Sequence, residues 1–199
     1  MYHLSQALIT QNPTFSDPTK ITVKGIMLHS IGIPQPKAEG LIHNWDSKSA
    51  NTSVHAIIEA EGRVYQLLPW HYKAWHCGGV GNNTHIGIEL TEPATIAYTT
   101  GTSFHDKDPK ATKAFVRASY QTAVALVAQL CVDHTLKPLS DGVIVSHAEG
   151  HKRKIASNHA DVEHLWNHVG LTMAQFRRDV AAEVGRLQNG VGAPAPSLP

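Results

Sequence analysis

The chain reads as a single α/β domain in which a mixed central β-sheet is flanked by α-helices. Short β-branched runs alternate along it with longer segments of helical period, an order that lays strands side by side and packs helices against them. Its 199 residues, 42% of them hydrophobic, suit one core, since a domain usually takes roughly 100–200 residues. No internal repeat interrupts residues 1–188. The remainder, NGVGAPAPSLP (189–199), is a Gly/Pro/Ala tail with nothing to bury, expected to lie outside the fold as a linker or terminal tail.

The elements follow in order. ITVKGIMLH (21–29) alternates as a buried strand that ends on a His. PKAEGLIHNW (36–45) has Leu41, Ile42 and Trp45 spaced for one helix face. SVHAIIEA (53–60) and RVYQLLP (63–69) flank Glu61-Gly62 as a tight hairpin. HIGIEL (85–90) and GVIVSH (142–147) are short β-branched runs. Residues 108–135 form a long helix whose apolar positions include Phe115, Ala118, Val124, Val127, Leu130 and Cys131. TMAQFRRDVAAEVGRLQ (172–188) opens with a capping box from Thr172 to Gln175 and buries Phe176, Val180 and Val184. The segment TEPATIAYTTGTSFHDKDP (91–109) has little periodicity, and structureless loops beyond about 12–15 residues are usually functional or disordered. It follows the strand carrying Glu89, which places it at the border of a substrate groove.

Composition removes several classes of function. A net charge of +1 and a pI near 7.9 give no electrostatic basis for binding nucleic acid or an acidic membrane surface. The N-terminus MYHLSQALITQNPTF lacks a basic start and a continuous apolar run, and no stretch approaches the ~18 apolar residues of a span. Neither membrane insertion nor a signal peptide is expected, so the protein is made in the cytoplasm. Cys77 and Cys131 are too few for a disulfide framework and read as free, semi-buried thiols.

Histidine is the outlier. The chain has fourteen, and neutral imidazole is the commonest metal ligand and the usual acid-base group near neutral pH. Three distant stretches each present a zinc-type donor: His29 closing KGIMLHS, His147 closing VIVSH, and Asp161 in IASNHADVEHLW. Two imidazoles and one carboxylate leave a bound Zn²⁺ with residual positive charge and an open fourth position, which suits amide hydrolysis. Each residue also has a plain reading. Asp161 suits the first turn of a helix through VEHLW, and Glu89 suits a strand-end carboxylate paired with a Lys or Arg. Trp75-His76 suits a packed turn beside Gly78-Gly79.

KGIMLHS, the hairpin SVHAIIEAEGRVYQLLP, KAWHCGG with NNTHIGIEL, and SHAEGHKRKIASNHADVEHLW occur in one order and spacing. Together they resemble the zinc-dependent N-acetylmuramoyl-L-alanine amidases of the type-2 amidase and peptidoglycan-recognition superfamily, from about residue 21 to about 180. The resemblance implies one Zn²⁺ on His29, His147 and Asp161, with Glu89 as catalytic base. It makes Trp75, His76 and His55 substrate-binding residues of the groove. Where many relatives carry Lys-x-Asp-Pro or Lys-x-Cys-Pro, this chain reads His159-Ala160-Asp161-Val162. His159 therefore takes the place of a catalytic Lys, and it competes with Asp161 for the third ligand position. The tyrosine that some relatives use in the hairpin strand is replaced by Val54 and Ala56 around His55.

The activity so implied is hydrolysis of the bond between N-acetylmuramic acid and L-alanine, with peptidoglycan or muropeptides as the partner. A phage or prophage endolysin is one setting and a cytoplasmic muropeptide-recycling amidase another. A recognition module that binds without cutting is the alternative of a different class, and it usually lacks the Asp or Cys ligand that Asp161 supplies here.

Overall fold

Alternation along a strand sends successive side chains to opposite faces, and in this sheet it separates the core from the chemistry. The computed structural model describes residues 2–190. In chain order the elements are β1 (His3–Gln6), α1 (Pro13–Ser16), β2 (Gly25–Ser30), α2 (Glu39–Trp45), β3 (Ala56–Ile58), β4 (Arg63–Gln66), β5 (His85–Leu90), β6 (Ile96–Tyr98) and β7 (Phe104–Asp106). There follow α3 (Pro109–Asp133), β8 (Ile144–Ser146), α4 (His147–Lys152), α5 (Glu163–His168) and α6 (Met173–Gln188). Six strands form one sheet in the order β1-β4-β3-β5-β2-β8, while β6 and β7 pair with each other. The sheet is mixed: β3 and β4 are antiparallel, and β3, β5, β2 and β8 run parallel.

Ile26 and Leu28 of β2, Ile86 and Ile88 of β5, and Ala56 and Ile58 of β3 point to the face covered by α3 and α6. Tyr120, Trp166 and Phe176 fasten α3, α5 and α6 to one another, with ring centroids 5.0–5.3 Å apart. On the opposite face Ile57 packs with Leu41, Ile42 and Trp45, and Met27 and Val145 pack with Cys77. That face also carries the next residues in phase with Met27, namely His29 and its register partner Glu89. Among the described residues α3 is the one helix long and apolar enough to cross a membrane by length and composition, but 61% of its apolar window is buried against the sheet and α6. It is the core helix of the fold.

Several expectations shift. The strand expected over 21–29 begins at Gly25, because Lys20 and Ile21 pair with Tyr72 and His71 instead. The run 142–147 is strand only through Ser146; His147 opens α4, whose first turn Ser146 and Glu149 cap reciprocally. The capping box expected at Thr172 is half formed: Thr172 accepts from the Gln175 N–H, whereas the Gln175 side chain turns to Asp179. The segment 91–109 is not structureless, since β6 and β7 make a hairpin inside it. Both cysteines are fully buried rather than semi-buried. The hairpin between β3 and β4 is as expected, with Gly62 at φ +80° in its turn. Of the tail expected at 189–199, residues from 191 onward lie outside the described residues.

Candidate active site

The carboxyl ends of parallel strands are where a sheet of this kind leaves a crevice, because the chain must turn away into loops and helices there. His29 and Glu89 sit side by side at the ends of β2 and β5, and Leu28 pairs with Ser146, so His147 emerges next to His29 on the same face. Ser146 fixes that exit. Its hydroxyl accepts from the Glu149 N–H and donates to Glu163 Oε1 at 2.6 Å, and Arg177 of α6 grips both oxygens of Glu149 at 2.8 and 3.1 Å. Asp161 arrives from the loop between α4 and α5, its backbone carbonyl receiving the Ala148 N–H at 3.1 Å.

The three donors converge. His29 Nδ1 lies 3.0 Å from His147 Nδ1, and Asp161 Oδ2 lies 3.3 and 3.4 Å from those two nitrogens. Tetrahedral zinc with bonds of about 2.0–2.1 Å has donor-to-donor edges of about 3.3–3.4 Å, so this triangle is the size that Zn²⁺ requires. The hydrogen bonds behind the rings set the tautomer. His76 Nε2 is 3.1 Å from the His85 carbonyl, which only accepts, so His76 carries its proton there. Its Nδ1 then accepts from His29 Nε2–H at 2.9 Å, leaving the His29 Nδ1 lone pair turned toward Asp161. His147 Nε2 has Ser157 Oγ at 3.1 Å as the matching partner. Lone pairs and a carboxylate aimed at one point repel unless a cation lies among them, which is the behaviour of a ligand set.

Electrostatics agree with that assignment. Burial holds His29 below its usual range against the opposing pull of Asp161. His76 is lowered further, by burial and then by His29 and His55. Burial works against Asp161, but the His147 and His29 rings beside it, which would donate to it if protonated on Nδ1, hold its carboxyl well below the usual carboxylate range. Glu89 goes the other way. Burial, then the charges of Asp161 and Glu92, push its carboxyl well above normal, and its Oε2 is buried with no hydrogen-bond partner. A carboxylate beside a cation site, in want of a proton, is suited to proton transfer.

A cavity of about 670 Å³ opens over these groups, lined by His29, His147, Asp161, Glu89, His76 and His159 among others. His159 is exposed, its ring centroid 4.5 Å from that of His147, and it stands outside the His29, His147, Asp161 cluster. His76 reaches the cavity wall, yet its ring is nine-tenths buried and serves His29 rather than solvent. His55 does not line the cavity: it is fully buried, Nε2 engaged with the Tyr72 carbonyl and Nδ1 with the Gly87 N–H, and burial pushes it down to about 4. Trp75 also lies outside the lining. It is a surface residue, 38% exposed, whose carbonyl accepts from the Thr52 hydroxyl.

Sequence reasoning missed Tyr98 and His164, which line the cavity, and Glu92, which is buried behind them and accepts from the Tyr98 hydroxyl. The available signal was His164 and His168 one turn apart, on one face of a short helix beginning just after Asp161.

Residues 19–163, a span that holds all three donors and Glu89, match the N-acetylmuramoyl-L-alanine amidases. The chain belongs to that family. The amidase fold extends to solved structures: the Staphylococcus aureus hydrolase AmiA is similar at a TM-score of 0.70 and 19% identity, covering 96% of this chain and 87% of that one. A mutant endolysin from Bacillus subtilis has a TM-score of 0.62 at 19% identity, with 93% and 100% of the two chains covered. The catalytic domain of XlyA has a TM-score of 0.62 at 20% identity, with 92% and 99% covered. No curated protein matches the sequence. As an amidase of this family the protein hydrolyses the amide that joins N-acetylmuramic acid to L-alanine in peptidoglycan.

Proposed function

We propose that this amidase is zinc-dependent and lytic in the manner of an endolysin, with His29, His147 and Asp161 holding one Zn²⁺ and Glu89 moving the proton. The observation that carries the reading is the donor triangle with edges of 3.0–3.4 Å, backed by hydrogen bonds that free Nδ1 of His29. A Zn²⁺ held there supplies positive charge that polarises the scissile carbonyl and eases loss of a proton from water. Glu89 takes that proton on its unpartnered Oε2 and delivers it to the L-alanine nitrogen as the C–N bond breaks. His159, exposed at the cavity edge, donates a hydrogen bond to the oxygen that gains charge in the tetrahedral intermediate. Substrates are peptidoglycan or soluble muropeptides. The endolysin among the similar structures supports the lytic setting over muropeptide recycling, and the complete donor set supports an enzyme over a module that only binds.

Metal analysis and mass spectrometry of wall digests test the proposal together. One zinc per chain and release of stem peptides with free L-alanine amino groups are expected. Asp161→Ala should lose zinc, whereas His159→Ala should retain it and lose roughly 10²–10³-fold in kcat. Zinc lost from His159→Ala but kept by Asp161→Ala would reverse those two roles. Activity without bound metal would overturn the proposal.

A further inference from the structure

Tyr98 and the tip residues Gly101 and Thr102 line the same cavity as the donor triangle and Glu89. They belong to the β6–β7 hairpin, which no metal ligand or proton carrier occupies, and the hairpin is fastened at two points. Near the cavity the Tyr98 hydroxyl donates to Glu92 Oε2 at 2.7 Å and lies 2.6 Å from His164 Nε2. Glu92 is fully buried, and its other oxygen receives the Gly32 N–H at 3.0 Å, so one carboxylate ties the hairpin to the turn after β2. Farther out, His168 Nε2 sits 2.7 Å from Asp106 Oδ2, while Asp106 Oδ1 accepts from the Thr112 hydroxyl at 2.7 Å. Phe104 packs edge-on against His168, with centroids 4.9 Å apart. Both gripping histidines come from α5, which starts two residues after Asp161.

The tip is built differently from its anchors. Thr99-Thr100-Gly101-Thr102-Ser103 holds itself with Thr99 N–H to Ser103 carbonyl and Ser103 N–H to Thr100 carbonyl, and a Cβ on Gly101, at φ +57°, would meet nothing within 4 Å. Every group it offers is an uncharged hydroxyl or peptide group. Such groups hydrogen-bond well to neutral amides and gain little from a free carboxylate, which calls for an Arg or Lys.

We propose that the β6–β7 hairpin is a fixed substrate-binding arm whose tip residue Thr102 positions uncharged amide groups of the substrate over the metal centre, with Tyr98, His164 and His168 as positioning residues that hold the arm in place. The inference rests on the amidase reading above. Peptidoglycan offers this chemistry from two sources, the amides of the stem peptide and the acetamido group of the sugar.

The test uses full-length zinc-loaded protein carrying Glu89→Gln, so that binding is read without turnover. Its ligands are N-acetylmuramoyl-L-alanine, N-acetylmuramoyl tripeptide and the tripeptide without sugar. Thr102→Val at the exposed tip should weaken binding about three- to ten-fold, the usual yield of one lost hydrogen bond. His168→Ala should weaken it comparably without touching the cavity, and His168→Gln, which keeps a donor, should recover most of the loss. In the otherwise unaltered enzyme the same substitutions should appear mainly in KM, with zinc content constant. A deficit confined to ligands with a long stem assigns the arm to stem amides, and one confined to ligands with the sugar assigns it to the acetamido group; either supports the proposal. Tight binding of all three ligands by Thr102→Val and His168→Ala would overturn it. So would a loss of zinc with no change in KM. A wild-type enzyme that binds muropeptides but cuts none would refute the amidase reading and leave the arm measurable by affinity.

Discussion

Removing His76 should loosen the metal rather than the substrate. His29 is 1% exposed, and its Nε2–H has the His76 Nδ1 as acceptor. In His76→Ala that donor is stranded whenever Nδ1 is committed to the cation, and an unsatisfied buried donor costs about 1–3 kcal/mol. The metal-free protein escapes most of this penalty by moving the His29 proton to Nδ1, where Asp161 Oδ2 at 3.3 Å accepts it. The difference between the two states therefore falls on affinity. At about 1.4 kcal/mol per tenfold, it corresponds to zinc bound about 5- to 150-fold more weakly, a range that contains the usual 10- to 100-fold effect of losing such a partner. Competition with a chromophoric chelator measures this directly, and thermal unfolding of the metal-free variant checks that the fold survives. His76→Asn, whose side-chain oxygen can accept in place of Nδ1, should restore most of the affinity. If His76→Ala folds normally and binds zinc within two-fold of the parent, the hydrogen bond does not set the ligand tautomer and the reasoning fails.

Three further outcomes follow from the same geometry. Glu89→Gln keeps shape and removes basicity; it should fold, bind zinc and turn over about 10²–10⁴-fold more slowly, and a near-normal kcat would remove Glu89 from proton transfer. Gly87→Ala places a Cβ 2.4 Å from His76 Cγ, so the ring must shift off His29; we expect weaker zinc binding, and unchanged affinity would show that the site tolerates the displacement. Acidification should destabilise the metal-free protein: His55 is held at about 4 and His29 and His76 are also lowered, so the unfolded chain takes up protons below its own pKa of about 6.5 that the folded chain refuses. The part carried by His55 is fully present above about pH 6.5 and is lost toward pH 4, on the order of 1.4 kcal/mol per pH unit, and His29 and His76 act in the same direction. Urea midpoints at pH 7 and pH 5 test this, and equal midpoints would contradict it.

The two candidate histidine donors were legible because each closes a short hydrophobic run, KGIMLHS and VIVSH, whereas Asp161 sits in a loop and was placed by the resemblance. Glu89 came from the strand motif HIGIEL that the resemblance carries, and the register of β2 and β5 sets it beside His29. His76 was legible as a site residue but not in its role, since the carbonyl of His85 that dictates its tautomer is a backbone group with no signature in the sequence. His55 was assigned to the groove because it lies in a hairpin of the right pattern, yet it is fully buried behind His76, where the Tyr72 carbonyl and the Gly87 N–H satisfy both ring nitrogens. Tyr98 escaped notice because β6 and β7 are three residues each, too short for periodicity, and because their anchors lie some sixty residues away on α5.

The two imidazoles of the donor triangle are 118 residues apart in sequence. No unfolded form of the chain can hold them 3.0 Å apart, so a cation that binds there binds the folded state alone and stabilises it by RT ln(1 + [Zn]/Kd). Heat tolerance thus becomes a property of the surroundings: the same polypeptide is hardier in a zinc-replete fluid than in one stripped by a chelator. A chelator would then remove the metal and the resistance to proteases through one equilibrium.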